Sequence, residues 1–299
     1  MTPSQVLWAR LAPSEVWPAD LFAPPTEVTA IRLAGFVPWG VRYTRTGLDS
    51  GPIGWLAPEM FSVLLRADLF WTTRGAPEQA CLINADRLSE LETLLFDYLG
   101  PEGWRYERFF VRDRSAGILL DDAAVPRPLL LERSLFRPLG ILSSSVHLNL
   151  MTPQGRYWIG RRAAHKRIDP GMWDAAAAGG LPAYESAANA VGREAAEEAG
   201  LINLSRQEIR FIGRLRVCRL LTDCLHHEQV WVFRGQVAAS VQPIPVDGEV
   251  ETFDCVWPEE IVERYRAGQF NHEAACGSLL KPIEETEPSR TTKPKVLGA

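Results

Sequence analysis

One stretch, Gly179 to Leu201 (GGLPAYESAANAVGREAAEEAGL), constrains this chain more than any other. It opens on two glycines, and Ser186 follows as an N-cap, an acceptor for the first free backbone N–H groups of a helix. Gly200 suits the left-handed position just past a helix end. Between them Ala188, Val191, Ala195 and Ala199 recur at three- and four-residue spacing, which predicts one narrow apolar stripe. Glu194, Glu197 and Glu198 stand at i,i+3 and i,i+4, so their carboxylates crowd beside that stripe. Such like-charge pairs cost an isolated helix about 0.2–0.5 kcal/mol each, and the helix dipole disfavours anions in a last turn. A Glu-rich face is commonly a solvated one. Here the crowding at the unfavourable end, behind a glycine pair that admits close backbone approach, favours a bound cation. Carboxylate oxygens suit hard divalent ions, and Mg²⁺ completes its shell with water and substrate phosphate.

Gly179, five residues, Glu185, seven residues and then Arg193-Glu194-Ala195-Ala196-Glu197-Glu198-Ala199-Gly200-Leu201 resembles the Nudix box. Every fixed position is filled; Ala195 is smaller than the usual Leu, Ile or Val. So many fixed positions at fixed spacing make a specific signal. The resemblance implies hydrolysis of a diphosphate joined to another moiety, with Mg²⁺ or Mn²⁺ held by Glu194, Glu197 and Glu198. A diphosphate is anionic on both sides of its bridging oxygen, so attack by water needs charge neutralisation and a carboxylate to take the proton. In this family that base is a box glutamate or one from a later loop. Glu249 and Glu251, in VDGEVETF, are the loop candidates, and each alone reads equally well as part of a charged turn. Glu185 and Arg193 read as an ion pair orienting loop and helix, with Arg193 a further partner for the box carboxylates. The backbone of Gly179 and Gly180 is placed to meet a metal or phosphate.

A narrower resemblance covers Val146-His147-Leu148-Asn149, Trp158-Ile159, Arg161-Arg162, Lys166, Pro170-Gly171-Met172, Asp174, Ala178-Gly179-Gly180 and Asp247-Gly248-Glu249-Val250-Glu251. Together these resemble the Nudix subgroup associated with thiamine metabolism, whose plant and bacterial members carry an N-terminal domain of unassigned function. The resemblance implies removal of the terminal phosphate from thiamine diphosphate or its oxidised derivatives. Ala175-Ala176-Ala177 departs from it, standing where the subgroup tends to carry an Asn and a larger apolar pair. Arg161, Arg162 and Lys166 become candidate phosphate contacts, with a plain surface cation the alternative for each. His147 and His165 read as packed or surface residues. The ten tryptophans read mostly as core, any of them able to stack on a heteroaromatic ring. ADP-ribose or dinucleotide hydrolysis is the alternative within the same chemistry. A non-catalytic ligand-sensing module is the alternative outside it, and the intact glutamate set argues against that.

The rest of the chain divides around this motif. Residues 1 to about 30 are Pro- and Trp-rich and read as an irregular lead-in. Thr29–Tyr43 predicts strand, turn and strand punctuated by Pro38 and Gly40; Ala57–Leu69 predicts a helix; Asn84–Leu99 predicts a second, capped by Asn84, burying Leu88, Leu91, Leu95 and Tyr98. Trp104–Arg112, Gly117–Leu120 and Pro128–Glu132 read as extended, and Asp121–Arg137 as a linker. Beyond it, Val146–Met151 and Arg156–Arg162 predict a hairpin turning at Thr152–Gly155. Glu208–Leu220 and Glu228–Ala238 predict neighbouring strands across Thr222–His227, and Pro258–Gly268 and His272–Leu280 predict closing helices. The expected architecture is an α+β N-terminal domain (1–130) without a catalytic cluster, then an α/β/α sandwich on a mixed sheet, the Nudix-like fold (131–283). A polar tail (284–299) is expected to be disordered.

Composition removes other classes. A net charge of −5 over 299 residues offers no broad basic surface, so nucleic acid is not an expected partner. No apolar run has the length of a membrane span or signal peptide. The five cysteines are scattered without a CxxC pair and read as reduced thiols of a cytoplasmic protein. A small-molecule diphosphate is the expected partner, and a homodimer is compatible with the pattern.

Overall fold

The computed structural model describes residues 6–11, 35–43, 48–49, 53–72, 81–112, 121–122, 125–202, 204, 208–221, 224–238 and 240–280; for 6–11, 48–49, 121–122 and 125–128 it describes the backbone alone. Most of the lead-in, Gly117–Leu120 and the tail expected to be disordered lie outside the described residues. So does the first part of the expected Thr29–Tyr43 pair. Within the lead-in, β1 (Val6–Leu11) is a strand rather than irregular chain, and it pairs antiparallel with the second sheet below.

Residues 36–141 gather around one core. β2 (Val37–Tyr43), β3 (Leu48–Asp49), β4 (Gly54–Leu56), β5 (Trp71–Thr72) and β6 (Cys81–Asn84) form a sheet in the order β3-β2-β6-β5, with β4 on β2. β2 runs through Pro38 and Gly40 instead of turning there. The φ that Pro38 fixes is compatible with extended backbone. Trp39, fully buried, donates from Nε1 to the Leu139 carbonyl at 2.8 Å. α1 (Pro58–Arg66) starts with Pro58, where a missing N–H costs nothing. α2 (Leu88–Leu99) buries Leu88, Leu91 and Leu95, whereas Tyr98, in its last turn, is exposed. Asn84 makes no side-chain cap, because a 3₁₀ turn (Ala85–Arg87) intervenes before α2.

β7 (Arg108–Phe110), β8 (Asp121–Asp122), β9 (Val125–Pro128) and β10 (Leu130–Glu132) follow; β7 pairs with β10 and β8 with β9. The stretch expected as a linker is therefore structured, and it buries Leu131, Leu135 and Phe136, with Leu139 and Ile141 after them, in the first core.

The second sheet holds β11 (Ser143–Met151), β12 (Tyr157–Arg162), β13 (Trp173–Asp174), β14 (Ala177–Gly180), β15 (Ile209–Leu220), β16 (Leu225–Gln236) and β17 (Val250–Val256). Its order is β1-β15-β16-β11-β12-β13, with β14 on β11 and β17 on β12. β11 runs parallel to β16 and antiparallel to β12 and β14, so the sheet is mixed as expected. The expected hairpins are present, though β16 starts at Leu225 and closes tightly on Leu221, whose N–H meets the Cys224 carbonyl at 2.9 Å.

Strand alternation puts helices on both faces. Val146, Leu148 and Leu150 of β11 pack with Val191 and Ala195 of α3 (Ala187–Ala199). From the other face Asn149 accepts from Ser278 Oγ of α5 (His272–Leu279), at 2.8 Å, next to α4 (Pro258–Arg266). The result is the α/β/α sandwich read from the sequence. None of the five cysteines forms a disulfide, and four of them are buried.

Candidate active site

α3 is terminated as its sequence requires. Ser186 Oγ accepts from the Asn189 N–H at 3.2 Å, and Gly200 adopts φ +67°. Replacing Ser186 by Ala should lower stability by about 1 kcal/mol, read as a shift in the urea midpoint at constant slope.

The buried face of α3 is rotated from the expected stripe. Ala188 is exposed, while Ala190, Val191, Glu194, Ala195, Glu198 and Ala199 are buried. Two of the three glutamates thus point into the protein rather than lying beside its apolar seam. Glycine makes that tolerable. A Cβ on Gly179 would stand 1.9 Å from Glu194 Oε1, so the bare backbone of β14 is what admits the carboxylate.

The three glutamates differ in setting. Glu198, only 5% exposed, accepts from the Ala178 N–H at 2.8 Å. Burial, with Glu194 and Asp174 nearby, lifts its pKa well above the ordinary range despite that bond. Burial also raises Glu194, against the opposing charge of Arg193. Glu197 is exposed at the cleft edge. Arg193 joins the set: it donates to Glu185 at 3.0 and 3.2 Å, to Glu194 at 2.7 Å and to Glu197 at 2.9 Å. The ion pair expected between Glu185 and Arg193 is present. Burial lowers the Arg193 pKa, but its carboxylate partners more than reverse that, so it stays charged.

A cleft of about 360 Å³ opens over these groups. Gly179, Gly180, Arg162, Lys166 and Glu249 line it, with Arg193, Glu194 and Glu197. Glu198, Asp247 and Glu249 bring one carboxylate oxygen each within 4.8 Å of one another. Glu249 is bound by Lys166 Nζ, and its N–H donates to Asp247 Oδ1 at 2.9 Å. Burial pushes the Glu249 pKa up, yet the hydrogen bond and charge of Lys166, with the fields of Arg105 and Arg133, bring it below normal.

Arg162 donates to buried Asp174 at 2.8 Å and to the Ile168 carbonyl at 3.0 Å, so it braces the cleft wall. Arg161 and Glu251 do not line the cleft; they are exposed and 3.9 Å apart. Glu251 also sits within β17, not on the loop. His147 is buried and lines the cleft, whereas His165 is exposed. Among the described residues no tryptophan lines it.

Asp247 enters the sequence reading only as part of the narrower resemblance and is given no role there, although its place two residues before Glu249 in an Asp-Gly turn was a usable signal. Arg105, Glu107, Phe109 and Arg133, all ahead of β11 in the chain, also line the cleft, so residues outside the strands and helix around the box contribute charged groups to it.

Residues 142–275 match the NUDIX domain family. Nudix hydrolase 20, chloroplastic, from Arabidopsis thaliana is 30% identical over 153 residues, which is 50% of this chain and 41% of that protein. The uncharacterized protein YJR142W of Saccharomyces cerevisiae is 26% identical over 207 residues, 64% of this chain and 58% of its own length. The chain thus spans about half the length of these curated relatives. Among solved structures, DR0079 from Deinococcus radiodurans is 20% identical, covering 56% of this chain and 95% of that one at a TM-score of 0.43. No helix among the described residues is long and apolar enough to cross a membrane. The box on α3 and the carboxylates around Glu198 lie within the matched span, and residues 142–275 are a NUDIX domain.

Proposed function

We propose that this chain hydrolyses a phosphoanhydride bond in a small organic diphosphate, with thiamine diphosphate or an oxidised derivative as substrate and the monophosphate as product. One observation carries the reading: the buried box residue Glu198 meets Asp247 and Glu249 at a cleft also bordered by Glu194, Glu197 and several cations. The thiamine assignment rests on the narrower sequence resemblance.

The donor set fits Mg²⁺ or Mn²⁺, since every offered atom is a carboxylate oxygen. Glu198 and Asp247, with Glu194 and Glu197 at the cleft edge, would hold the ion. When bound it supplies charge neutralisation for phosphoryl oxygens and acidifies water. Glu249, ionised at neutral pH and fixed by Lys166 and Asp247, takes the proton from the attacking water. Arg193 holds Glu194 and Glu197 in place, Gly179 leaves room for the Glu194 carboxylate, and Gly180 leaves room for Phe109 and Arg133. Burial of Leu131 to Ile141 in the first core supports a boundary just before residue 142, with an accessory unit ahead of it. Five cysteines with no disulfide among them support a reducing compartment such as the cytoplasm.

The test is a panel of thiamine diphosphate, its oxidised forms, ADP-ribose and a dinucleotide, incubated with Mg²⁺ or Mn²⁺ and analysed by product. Thiamine monophosphate and orthophosphate, abolished by chelator, are expected. Cleavage of ADP-ribose alone would overturn the substrate assignment, and no turnover of any member the hydrolase reading.

A further inference from the structure

All the cations on the NUDIX side of the cleft except Arg167 are already engaged. Arg162 is held by Asp174, Lys166 by Glu249, Arg193 by three glutamates, and Arg219 by Asp169 and Glu273. A diphosphate brings its own negative charge and needs donors that are not spoken for. Those come from the N-terminal unit, together with Arg167.

Arg105 lines the cleft, is exposed, and has no ion pair among the described residues. Its root is nevertheless fixed: its N–H donates to Glu132 Oε1 at 3.1 Å and to Ser134 Oγ at 2.9 Å. The next residue, Tyr106, sits at φ +59°, a left-handed conformation that a non-glycine residue rarely adopts and that concentrates at functional sites. Arg133 gives one amino group to Glu107 at 2.7 Å and rests over the Phe109 ring. Its guanidinium presses on the glycine pair, since a Cβ on Gly180 would stand 3.0 Å from Arg133 Cζ. Arg167, also without an ion pair among the described residues, reaches the same wall; a Cβ on Gly103 would be 3.6 Å from its Nη1.

We propose that the N-terminal unit builds an anion site in the cleft, in which Arg105 and Arg133, joined by Arg167, bind the phosphoryl oxygens of the diphosphate. The proposal deepens the hydrolase reading and rests on it for the identity of the anion. Guanidinium groups suit it, because each presents a planar fork of donors to phosphate. The fields of Arg105 and Arg133 already reach Glu249, and that of Arg133 reaches Glu194, so the four groups share one electrostatic neighbourhood.

Arg105→Ala, Arg105→Lys and Arg133→Lys are compared with the unaltered full chain. Inorganic diphosphate with Mg²⁺ is titrated calorimetrically, and the turned-over substrate gives KM and kcat. Loss of a charge-assisted hydrogen bond should weaken diphosphate binding and raise KM about tenfold or more in Arg105→Ala. The change in kcat should be much smaller, and Lys at 105 should recover part of the loss. The melting temperature of Arg105→Ala should stay unchanged, because that side chain bonds nothing described. Diphosphate binding and KM within twofold of the unaltered chain in both Arg105→Ala and Arg133→Lys would overturn the proposal, as would an unaltered chain that binds no inorganic diphosphate. Diphosphate binding that depends on Arg105 in a chain that hydrolyses nothing would refute the hydrolase reading alone and leave the anion site standing.

Discussion

Glu198→Gln should lose metal-dependent hydrolysis by roughly a thousandfold while leaving the metal-free protein as stable as before, or more so. The loss follows from the several kcal/mol of charge stabilisation that a catalytic ion supplies, at about 1.4 kcal/mol per factor of ten. The stability side follows from burial. Glu198 is 5% exposed, and burial, with Glu194 and Asp174 close by, keeps its folded pKa well above the ordinary 4.5. A carboxyl raised on folding weakens the fold as pH climbs from 4.5, and fully so above its folded pKa. Glutamine keeps an oxygen for the Ala178 N–H and removes the charge. The advantage of the variant should therefore vanish below pH 4.5, where both states hold the proton. Added Mg²⁺ should reverse the ranking at neutral pH, since binding at a hundredfold excess over Kd stabilises by about 2.7 kcal/mol and the variant forfeits most of it. Melting curves with and without Mg²⁺, beside phosphate release, check both halves. A variant that turns over normally, or melts several degrees lower without metal, removes Glu198 from the centre of this site.

How much of this could be read from residues alone depends on the range of the interaction. The caps of α3 are local, so Ser186 and Gly200 were legible, as was the Glu185–Arg193 pair. The rotation of the helix was not. Spacing rules place charged residues outside, whereas Glu194 is inside because Gly179 leaves it room and Glu198 meets the Ala178 N–H, both of them features that only the folded β14 defines. Adjacent strand residues face opposite sides, so nothing in Arg161-Arg162 said which would meet the cleft. Pairing of β12 with β17 decides it: Arg162 turns in to Asp174, and Arg161 stays out with Glu251. Arg105 and Arg133 carry no spacing signal toward the box, and their approach depends wholly on how the two cores meet. Pro38 and Tyr98 were misread for a milder reason. A proline fits extended backbone as well as a turn, and a helix periodicity does not say where its apolar cover ends.

Arg219→Met should destabilise the chain at neutral pH by about 3–5 kcal/mol, the usual result of stripping one partner from a buried ion pair. Arg219, on β15, is 5% exposed and lies 3.0 Å from Glu273 of α5 and 3.2 Å from Asp169 of the loop before β13. It therefore ties sheet, helix and cleft loop through one guanidinium. Glu273 also meets His226 Nε2 of β16 at 3.1 Å, and Asp169 accepts from Asn271 at 2.8 Å. Burial alone would raise the Glu273 pKa, but the charge of Arg219 and the His226 bond carry it well below 4.5. A carboxylate depressed on folding contributes stability above its unfolded pKa and loses it as pH falls toward the folded value. The gap between the unaltered chain and Arg219→Met should thus be widest near neutrality and close progressively below pH 4.5. Methionine fills similar volume, so an orphaned charge, not a cavity, is what the variant reports. Adding Glu273→Gln should return part of the loss, since removing both members of a buried pair is milder than removing one. Urea unfolding of the unaltered chain, Arg219→Met, Glu273→Gln and the double variant across pH 3.5 to 7.5 reads the cycle, and a double variant no more stable than Arg219→Met would show that Glu273 is not the group Arg219 neutralises.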